Sequence, residues 1–157
     1  MRVGIGYDIH RFNGPGPLTL GGIVIPSPRG LAGHSDADVL LHAITDALLG
    51  AIGAPDIGEQ FPSGDPRYRK AASRVFLEAA RAQVRRAGYT VGNVDTTVIA
   101  DAPRLTGHKP RLRASLGRLL GVPASRVSVK AKTTEAFAPG KHGIAAQAVV
   151  LLRRKRT

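Results

Sequence analysis

The first residues of the chain alternate between apolar side chains and polar or small ones. Valine, isoleucine and tyrosine occupy the odd positions, and the even positions carry two glycines followed by Asp8 and His10. A period of two residues predicts a half-buried β-strand over Arg2–Ile9. Two short apolar runs, Leu18–Leu20 and Ile23–Ile25, flank a Gly-Gly pair and predict a hairpin.

Three later segments have the three- and four-residue apolar spacing of amphipathic helices. They cover Asp36–Gly53, Tyr68–Ala87 and a stretch from Pro110 to near Gly121. Ser35 or Asp36 is a natural N-cap for the first helix. Ala54–Pro66, rich in glycine, proline and aspartate, is predicted to be a loop. The predicted core face of the first helix comprises Val39, Leu40, Ala43, Ile44, Ala47, Leu48 and Ala51.

The remaining apolar segments predict three more strands, at Val91–Ala100, Val127–Lys132 and Ile144–Leu152. The elements then follow the order β-β-α-α-β-α-β-β, without an internal repeat or a low-complexity linker. This order predicts an α+β fold in which a single layer of helices packs on a mixed four-stranded sheet with a small extra hairpin. The 157 residues fit one domain covering residues 1–157.

The composition restricts the chemistry. The chain has no cysteine, so any transition metal must be held by imidazole and carboxylate groups. The formal net charge of +12 would attract a nucleic acid, an acidic membrane or a phosphorylated small molecule. Much of this charge lies in Arg67–Arg86 and in the tail Arg153–Arg156, where a solvated helix face and a frayed terminus are the ordinary explanations.

Two further features bear on the class of protein. Aromatic residues are limited to three tyrosines and four phenylalanines, which leaves little aromatic interleaving for a nucleic-acid surface. The sequence begins without a basic-then-apolar leader, and no apolar run approaches the roughly 20 residues of a membrane-spanning helix. We therefore expect a cytoplasmic protein.

Three residues form a candidate metal site. Asp8 and His10 are two positions apart on a predicted strand, so their side chains leave the same face. His42 lies in the middle of a predicted helix, one turn from Asp38 and from Asp46, and either carboxylate could orient its imidazole. Two histidines and one carboxylate match the open zinc arrangement that keeps a fourth position for substrate, although the same set could hold iron. Each residue alone also has a purely structural explanation, such as a turn cap or a core histidine.

A second polar cluster ends the strand predicted at Val127–Lys132. Lys130–Glu135 supplies two amines, two hydroxyls and one carboxylate. Hydroxyls and backbone amides suit phosphate oxygens, and Glu135 could hold a hard cation such as magnesium. An ordinary polar strand end explains the same residues equally well. His34 could likewise be a surface loop residue or a cation near a phosphate.

Together these segments resemble the family of 2-C-methyl-D-erythritol 2,4-cyclodiphosphate synthases, the cyclising enzymes of the non-mevalonate isoprenoid pathway. The resemblance covers nearly the whole chain, in several segments that occur in the correct order. The motifs that carry it are Gly4–His10, Gly33–Asp38, Leu41–Gly50, Asp56–Gly58, Phe61-Pro62, Gly92–Asp95 and Lys130–Glu135.

The resemblance implies an intramolecular phosphoryl transfer that makes the protein a phosphorus-oxygen lyase. The 2-phosphate of 4-diphosphocytidyl-2-C-methyl-D-erythritol 2-phosphate attacks the β-phosphorus, CMP leaves, and the 2,4-cyclodiphosphate forms. Asp8, His10 and His42 would hold zinc, whose fourth position takes a β-phosphate oxygen of the substrate. Glu135 would help to hold a magnesium or manganese ion. The family further implies a homotrimer with its active sites between neighbouring subunits.

The resemblance also assigns substrate contacts. His34 and Thr133 would stabilise the transition state. The residues expected around the methylerythritol phosphate are His34, Ser35, Asp56, Ile57, Gly58, Phe61 and Asp65. The residues expected to form the cytidine and diphosphate pocket are Ala100, Asp101, Ala102, Pro103, Arg104, Leu105, Thr106, Lys132, Thr133, Thr134 and Glu135.

Two segments depart from the family pattern. The loop Phe61–Asp65 varies, which weakens only the contacts expected of Ser63 and Gly64. The family has Gly-Phe followed by Gly-Arg-Gly-Glu-Gly after Glu135, and this chain has the shorter run 136–143 without that arginine. Phe137 and Lys141 are the substrate contacts assigned there, and Lys141 could replace the arginine as a point charge but not as a bidentate fork. Isoprenoid-diphosphate binding on the trimer axis, known in some relatives, is therefore left open.

Two other functions fit parts of the sequence. A basic nucleic-acid-binding module would explain the net charge alone. A non-catalytic sensor of CDP compounds would use the same fold and the same metal site without releasing CMP.

Overall fold

The computed structural model describes residues 1–33, 35–68, 71–135 and 142–155. Within these ranges the chain forms eleven regular elements besides three short 3₁₀ turns. They are β1 (Arg2–Pro15), β2 (Leu18–Leu20), β3 (Ile23–Ile25), β4 (Arg29–Leu31), α1 (Val39–Ile52), α2 (Ile57–Gln60), α3 (Arg74–Arg86), β5 (Tyr89–Ile99), α4 (Lys109–Leu120), β6 (Val127–Lys132) and β7 (Gly143–Arg154). None of the described helices has the length and apolar character needed to cross a membrane.

The sheet is mixed and has five strands, in the order β4-β1-β7-β5-β6. Only β5 and β6 run parallel, and β2 and β3 form a separate hairpin. The predicted α+β class and hairpin are confirmed, but the predicted count of four sheet strands is wrong. The added edge strand β4 pairs Phe12 with Leu31 and Pro15 with Arg29. It has three residues and follows Pro28, so it carries no alternation long enough to be recognised.

Helix α1 forms the centre of the core. It packs on β1 and β7, α3 packs on α1, and α4 packs on β6. The apolar stripe predicted for α1 is confirmed, since each of its seven residues is at most 3% exposed. The predicted N-cap is wrong: Ala37 adopts a left-handed φ of 56°, and the helix begins after it. Asp38 is the N-cap, and its carboxylate accepts the backbone N–H groups of Leu41, Gly21 and Gly22.

Three other boundaries differ from the prediction. The helix expected from Tyr68 begins only at Arg74, and Pro66–Tyr68 form a 3₁₀ turn. The predicted loop Ala54–Pro66 contains α2, which is held by a capping box between Asp56 and Glu59. The tail is not frayed at its start, because β7 continues to Arg154 and pairs there with β5.

Gly4 and Gly6 let α1 approach β1 closely. A Cβ atom on Gly4 would lie 1.9 Å from the carbonyl oxygen of Ala47, and one on Gly6 would lie 1.9 Å from that of Ala43. No side chain fits at these distances. The even-numbered face of β1 is therefore the buried face, and Asp8 and His10 continue it toward the end of the helix layer.

The odd-numbered face of β1 is open. Val3, Ile5, Tyr7 and Ile9 are between 54% and 65% exposed, and Val149 of the neighbouring β7, opposite Ile5, is 41% exposed. The alternation in the sequence thus marks the strand correctly, but its large apolar side chains point away from the helices. A contiguous apolar face of this kind is typical of an interaction surface.

We expect Gly6→Ala to destabilise the protein, because the new methyl group would displace the α1 backbone. Overpacking of this kind should lower the free energy of unfolding by about 2–3 kcal/mol or more, measured by chemical denaturation. Gly107→Ala is the matched control, since a Cβ there meets nothing within 4 Å. Equal stability of the two variants would contradict the close packing of α1 on β1.

Candidate metal centre and substrate cavities

The predicted metal ligands meet at one point. The Asp8 carboxylate oxygen Oδ2 lies 3.0 Å from His10 Nδ1 and 3.0 Å from His42 Nδ1. Strand β1 carries Asp8 and His10. Helix α1 places His42 over them, just beyond the close contact of Gly6 with the helix. Of the described residues, these three form the one group with three candidate metal ligands, and their ligand atoms all lie within 4.8 Å of one another.

The donor set fits a transition metal. His10 Nδ1 is buried and has no hydrogen-bond partner, although it lies 3.0 Å from the Asp8 carboxylate. A bound cation would satisfy this nitrogen. The ligands of a tetrahedral zinc ion lie roughly 3.3–3.5 Å apart, close to the 3.0 Å that separates the Asp8 oxygen from each imidazole nitrogen. Two imidazoles and a carboxylate also leave one coordination position for another ligand.

The Asp8 carboxylate is held in its ionised form. Burial opposes ionisation, but attraction to the neighbouring imidazoles of His10 and His42 outweighs it, so that the pKa of Asp8 lies well below its usual range. A carboxylate that stays deprotonated is ready to bind a cation. Asp46, one turn along α1, shows the opposite behaviour: burial raises its pKa, against the lowering effect of the Ile57 N–H bond.

The second nitrogen of His42 is held by residues that the sequence did not suggest. Its Nε2 lies 2.8 Å from Ser73 Oγ and 3.3 Å from Ser35 Oγ. The two carboxylates predicted to orient the His42 imidazole make other hydrogen bonds. Asp38 caps α1, and Asp46 accepts the backbone N–H of Ile57. Ser73 lies 31 residues from His42 along the chain, so no local spacing links the two.

A cavity of about 250 Å³ opens beside the metal centre. His10 and His42 lie on its wall, with Ser35, Ile57, Gly58 and Phe61 from the predicted methylerythritol group. The Ile57 backbone is tied to α1 through Asp46, which fixes the Asp56–Gly58 turn at the rim. Of the other predicted residues, Asp56 caps α2, and the half-buried Asp65 pairs with the exposed Arg67.

Three aromatic rings line the far side of this cavity. Phe61, Tyr68 and Phe76 contact one another with ring centroids 4.9–5.8 Å apart. Phe76 also lies 6.1 Å from the His42 ring. Sequence reasoning missed Tyr68 and Phe76 because it treated both as ordinary residues of an amphipathic helix. The chain has only seven aromatic residues, and this scarcity was the available signal that Tyr68 and Phe76 have a particular role.

A second cavity of about 340 Å³ lies where the parallel strands β5 and β6 end. Loops that follow the carboxyl ends of neighbouring parallel strands meet at one sheet edge and commonly form binding sites. Thr134 donates its backbone and hydroxyl hydrogens to Asp101, which joins the two loops. The predicted nucleotide residues on this cavity are Ala100, Asp101, Pro103, Arg104, Leu105, Thr106, Lys132 and Thr133.

The remaining predicted residues are placed as follows. Thr133 donates a hydrogen bond to Glu135, whose φ of 53° is left-handed. Thr134 lies on a third cavity with Tyr7, Ile9 and Ile99 on the open side of the sheet. His34, Phe137 and Lys141 lie outside the described residues.

Comparison with known proteins identifies the family. Residues 1–153 match the model of the YgbB family. The chain belongs to this family. It is 49% identical to the 2-C-methyl-D-erythritol 2,4-cyclodiphosphate synthase of Proteus mirabilis, over 97% of this chain and 96% of the relative. It is 52% identical to the synthase of the same name from Syntrophobacter fumaroxidans, over 98% of each.

Solved structures of the same kind have the same fold. A 2C-methyl-D-erythritol-2,4-cyclodiphosphate synthase described as its CDP-bound form superposes with a TM-score of 0.91, at 43% identity over 97% of this chain and all of the other. The resemblance read from the sequence motifs is thereby confirmed for this YgbB-family chain.

For the metal centre of this family member we expect about one zinc ion per chain after loading with zinc and desalting, measured by elemental analysis. Asp8→Asn should abolish this tight binding, because a neutral amide replaces the anionic ligand between two imidazoles. Glu78→Gln, which neutralises an exposed carboxylate on α3, should keep it. Equal zinc content in the two variants would exclude Asp8 as a ligand.

Proposed function

We propose that this chain converts 4-diphosphocytidyl-2-C-methyl-D-erythritol 2-phosphate to 2-C-methyl-D-erythritol 2,4-cyclodiphosphate and CMP, in isoprenoid precursor biosynthesis. Membership of the YgbB family and the names of its relatives support this lyase reaction. The observation that carries it in this chain is the convergence of Asp8, His10 and His42 beside a cavity lined by the predicted methylerythritol residues.

The reaction needs positioning more than it needs a base. An oxygen of the 2-phosphate forms a bond to the β-phosphorus while the bond from that phosphorus to the oxygen of CMP breaks. The attacking group is already an anion, so no side chain has to remove a proton from it. Catalysis then depends on holding the two phosphates in line and neutralising the charge that develops.

Two cations fit this scheme. Zinc held by Asp8, His10 and His42 would supply Lewis-acid polarisation of a phosphate oxygen of the substrate. A magnesium or manganese ion, with Glu135 as one ligand, would neutralise charge on the diphosphate.

We assign the two parts of the substrate to the two cavities. In our proposal, Ser35, Phe61 and the Asp56–Gly58 turn hold the methylerythritol phosphate, with Asp65 nearby. The loops Ala100–Thr106 and Lys132–Glu135 hold the cytidine and diphosphate. Thr133 would donate to a phosphate oxygen in the transition state, and His34 would assist it. Phe137 and Lys141 stay predictions.

A homotrimer would bring these halves together. The metal cavity and the nucleotide cavity share no lining residue in the described part of the chain. The apolar face Val3–Ile9 is exposed in the single chain. Burying this face against two further copies would remove it from water and set one copy's metal centre beside another's nucleotide loops.

The competing functions are less well supported. Only the positive net charge supports a nucleic-acid-binding module. The same charge would attract a substrate with several phosphates equally well. Family membership favours the enzyme. The CDP-compound sensor differs only in failing to release CMP. A cytoplasmic location stays a prediction.

The reaction is tested by incubating the zinc-loaded chain with 4-diphosphocytidyl-2-C-methyl-D-erythritol 2-phosphate and magnesium, followed by phosphorus NMR. We expect CMP and the cyclic diphosphate in equal amounts. Chelation or His42→Ala should lower the rate at least a hundredfold, since both remove charge neutralisation at the phosphate. Tight binding of CDP by a zinc-loaded chain that forms no CMP would favour the sensor instead.

The assembly is tested by changing the open face. Ile5→Glu should convert a trimer to monomers in sedimentation velocity, because each copy would bury an unpaired carboxylate at the interface. Val24→Glu is the matched control, since Val24 is 56% exposed but lies on the separate hairpin. A trimer that survives Ile5→Glu would rule out this face as the contact.

A further inference from the structure

A chain of hydrogen bonds leads from His42 away from the metal centre. His42 Nε2 lies 2.8 Å from Ser73 Oγ, and that hydroxyl lies 2.5 Å from Asp36 Oδ1. Ser73 is fully buried, and the His42 side chain is only 12% exposed. Water therefore has little access to replace these contacts. This series of hydrogen bonds joins the loop before α1 to the start of α3.

The donor and the acceptor of each hydrogen bond in this series can be assigned. A serine hydroxyl has one hydrogen to donate, and the Asp36 carboxylate can only accept. Ser73 therefore donates to Asp36 and must accept its other bond from His42 Nε2–H. A neutral imidazole that carries its proton on Nε2 has its lone pair on Nδ1. Nδ1 is the nitrogen that lies 3.0 Å from Asp8, where a metal ligand is needed.

Ser73 is free for this role because it does not cap its helix. It stands at the N-cap position of α3, where serine usually accepts a backbone N–H, but its side chain makes no capping bond. Its backbone N–H instead donates to Asp36 Oδ1 at 3.1 Å. Two bonds from one residue thus fix the carboxylate that receives the hydroxyl hydrogen. Ser35 Oγ, 3.3 Å from both Ser73 Oγ and His42 Nε2, adds only a longer contact.

We propose that Ser73 and Asp36 are positioning residues that hold His42 in the tautomer able to bind the metal and thereby set the metal affinity of the site. The proposal rests on the metal centre of the proposed function. Outer hydrogen bonds of this kind orient metal-binding histidines, and their loss typically weakens metal binding roughly ten- to a hundredfold.

The first test is the zinc affinity of the purified chain, measured by competition with a chromophoric chelator. We expect Ser73→Ala to weaken binding roughly ten- to a hundredfold. Ser73→Thr, which keeps the hydroxyl, should recover most of the affinity. Asp36→Ala should weaken binding at least as much as Ser73→Ala, because the released Ser73 hydroxyl could then donate to Nε2 and favour the proton on Nδ1. Ser115→Ala, at a serine that is 3% exposed on α4, is the control for loss of a buried hydroxyl.

The second test reads the tautomer itself, by imidazole nitrogen-15 NMR of the zinc-loaded chain. The unaltered protein should show a His42 Nε2–H proton protected from exchange with water, and Ser73→Ala should lose that protection. Thermal unfolding of each metal-free variant separates this effect from misfolding.

The outcomes are distinguishable. Zinc affinity in folded Ser73→Ala and Asp36→Ala equal to that of the unaltered chain would overturn the positioning role and leave the proposed function standing. Failure of the unaltered chain to bind zinc would overturn the metal centre, and this proposal with it.

Discussion

The contact between α1 and β1 is the constraint on which the site depends. Helix and strand approach so closely that Gly4 and Gly6 have no room for a Cβ atom. Their missing side chains bring the helix backbone down onto the sheet. At the next two positions of that face the strand carries Asp8 and His10, and the helix presents His42 above them. The same packing therefore forms the core and brings the three candidate metal ligands together.

That geometry also explains the electrostatics of the centre. Asp8 is partly buried but stays ionised because two imidazoles lie beside its carboxylate. His10 Nδ1 is buried without a hydrogen bond, and His42 has its outer nitrogen bonded to Ser73. Three candidate ligand atoms thus face one small volume. A bound cation would relieve this arrangement.

The sequence predicted the parts of this site that have local signals. A period of two put Asp8 and His10 on one face, and a period of 3.6 put His42 within a buried helix. Strand β4 was missed because three residues after a proline have no visible period. Ser73 was missed because its bonds to Asp36 and His42 join residues 37 and 31 positions apart. The exposed Val3–Ile9 face could not be foreseen either, since alternation shows that two faces differ but not which one the helices cover.

Zinc-edge X-ray absorption of the zinc-loaded chain tests the central claim most directly. The account predicts a first shell of nitrogen and oxygen at about 2.0–2.1 Å, with the outer-shell scattering of two imidazoles. In His42→Ala that outer scattering should fall to the level of one imidazole. A spectrum of the unaltered chain without imidazole scattering, or one that His42→Ala leaves unchanged, would contradict the convergence of Asp8, His10 and His42 on a single metal ion.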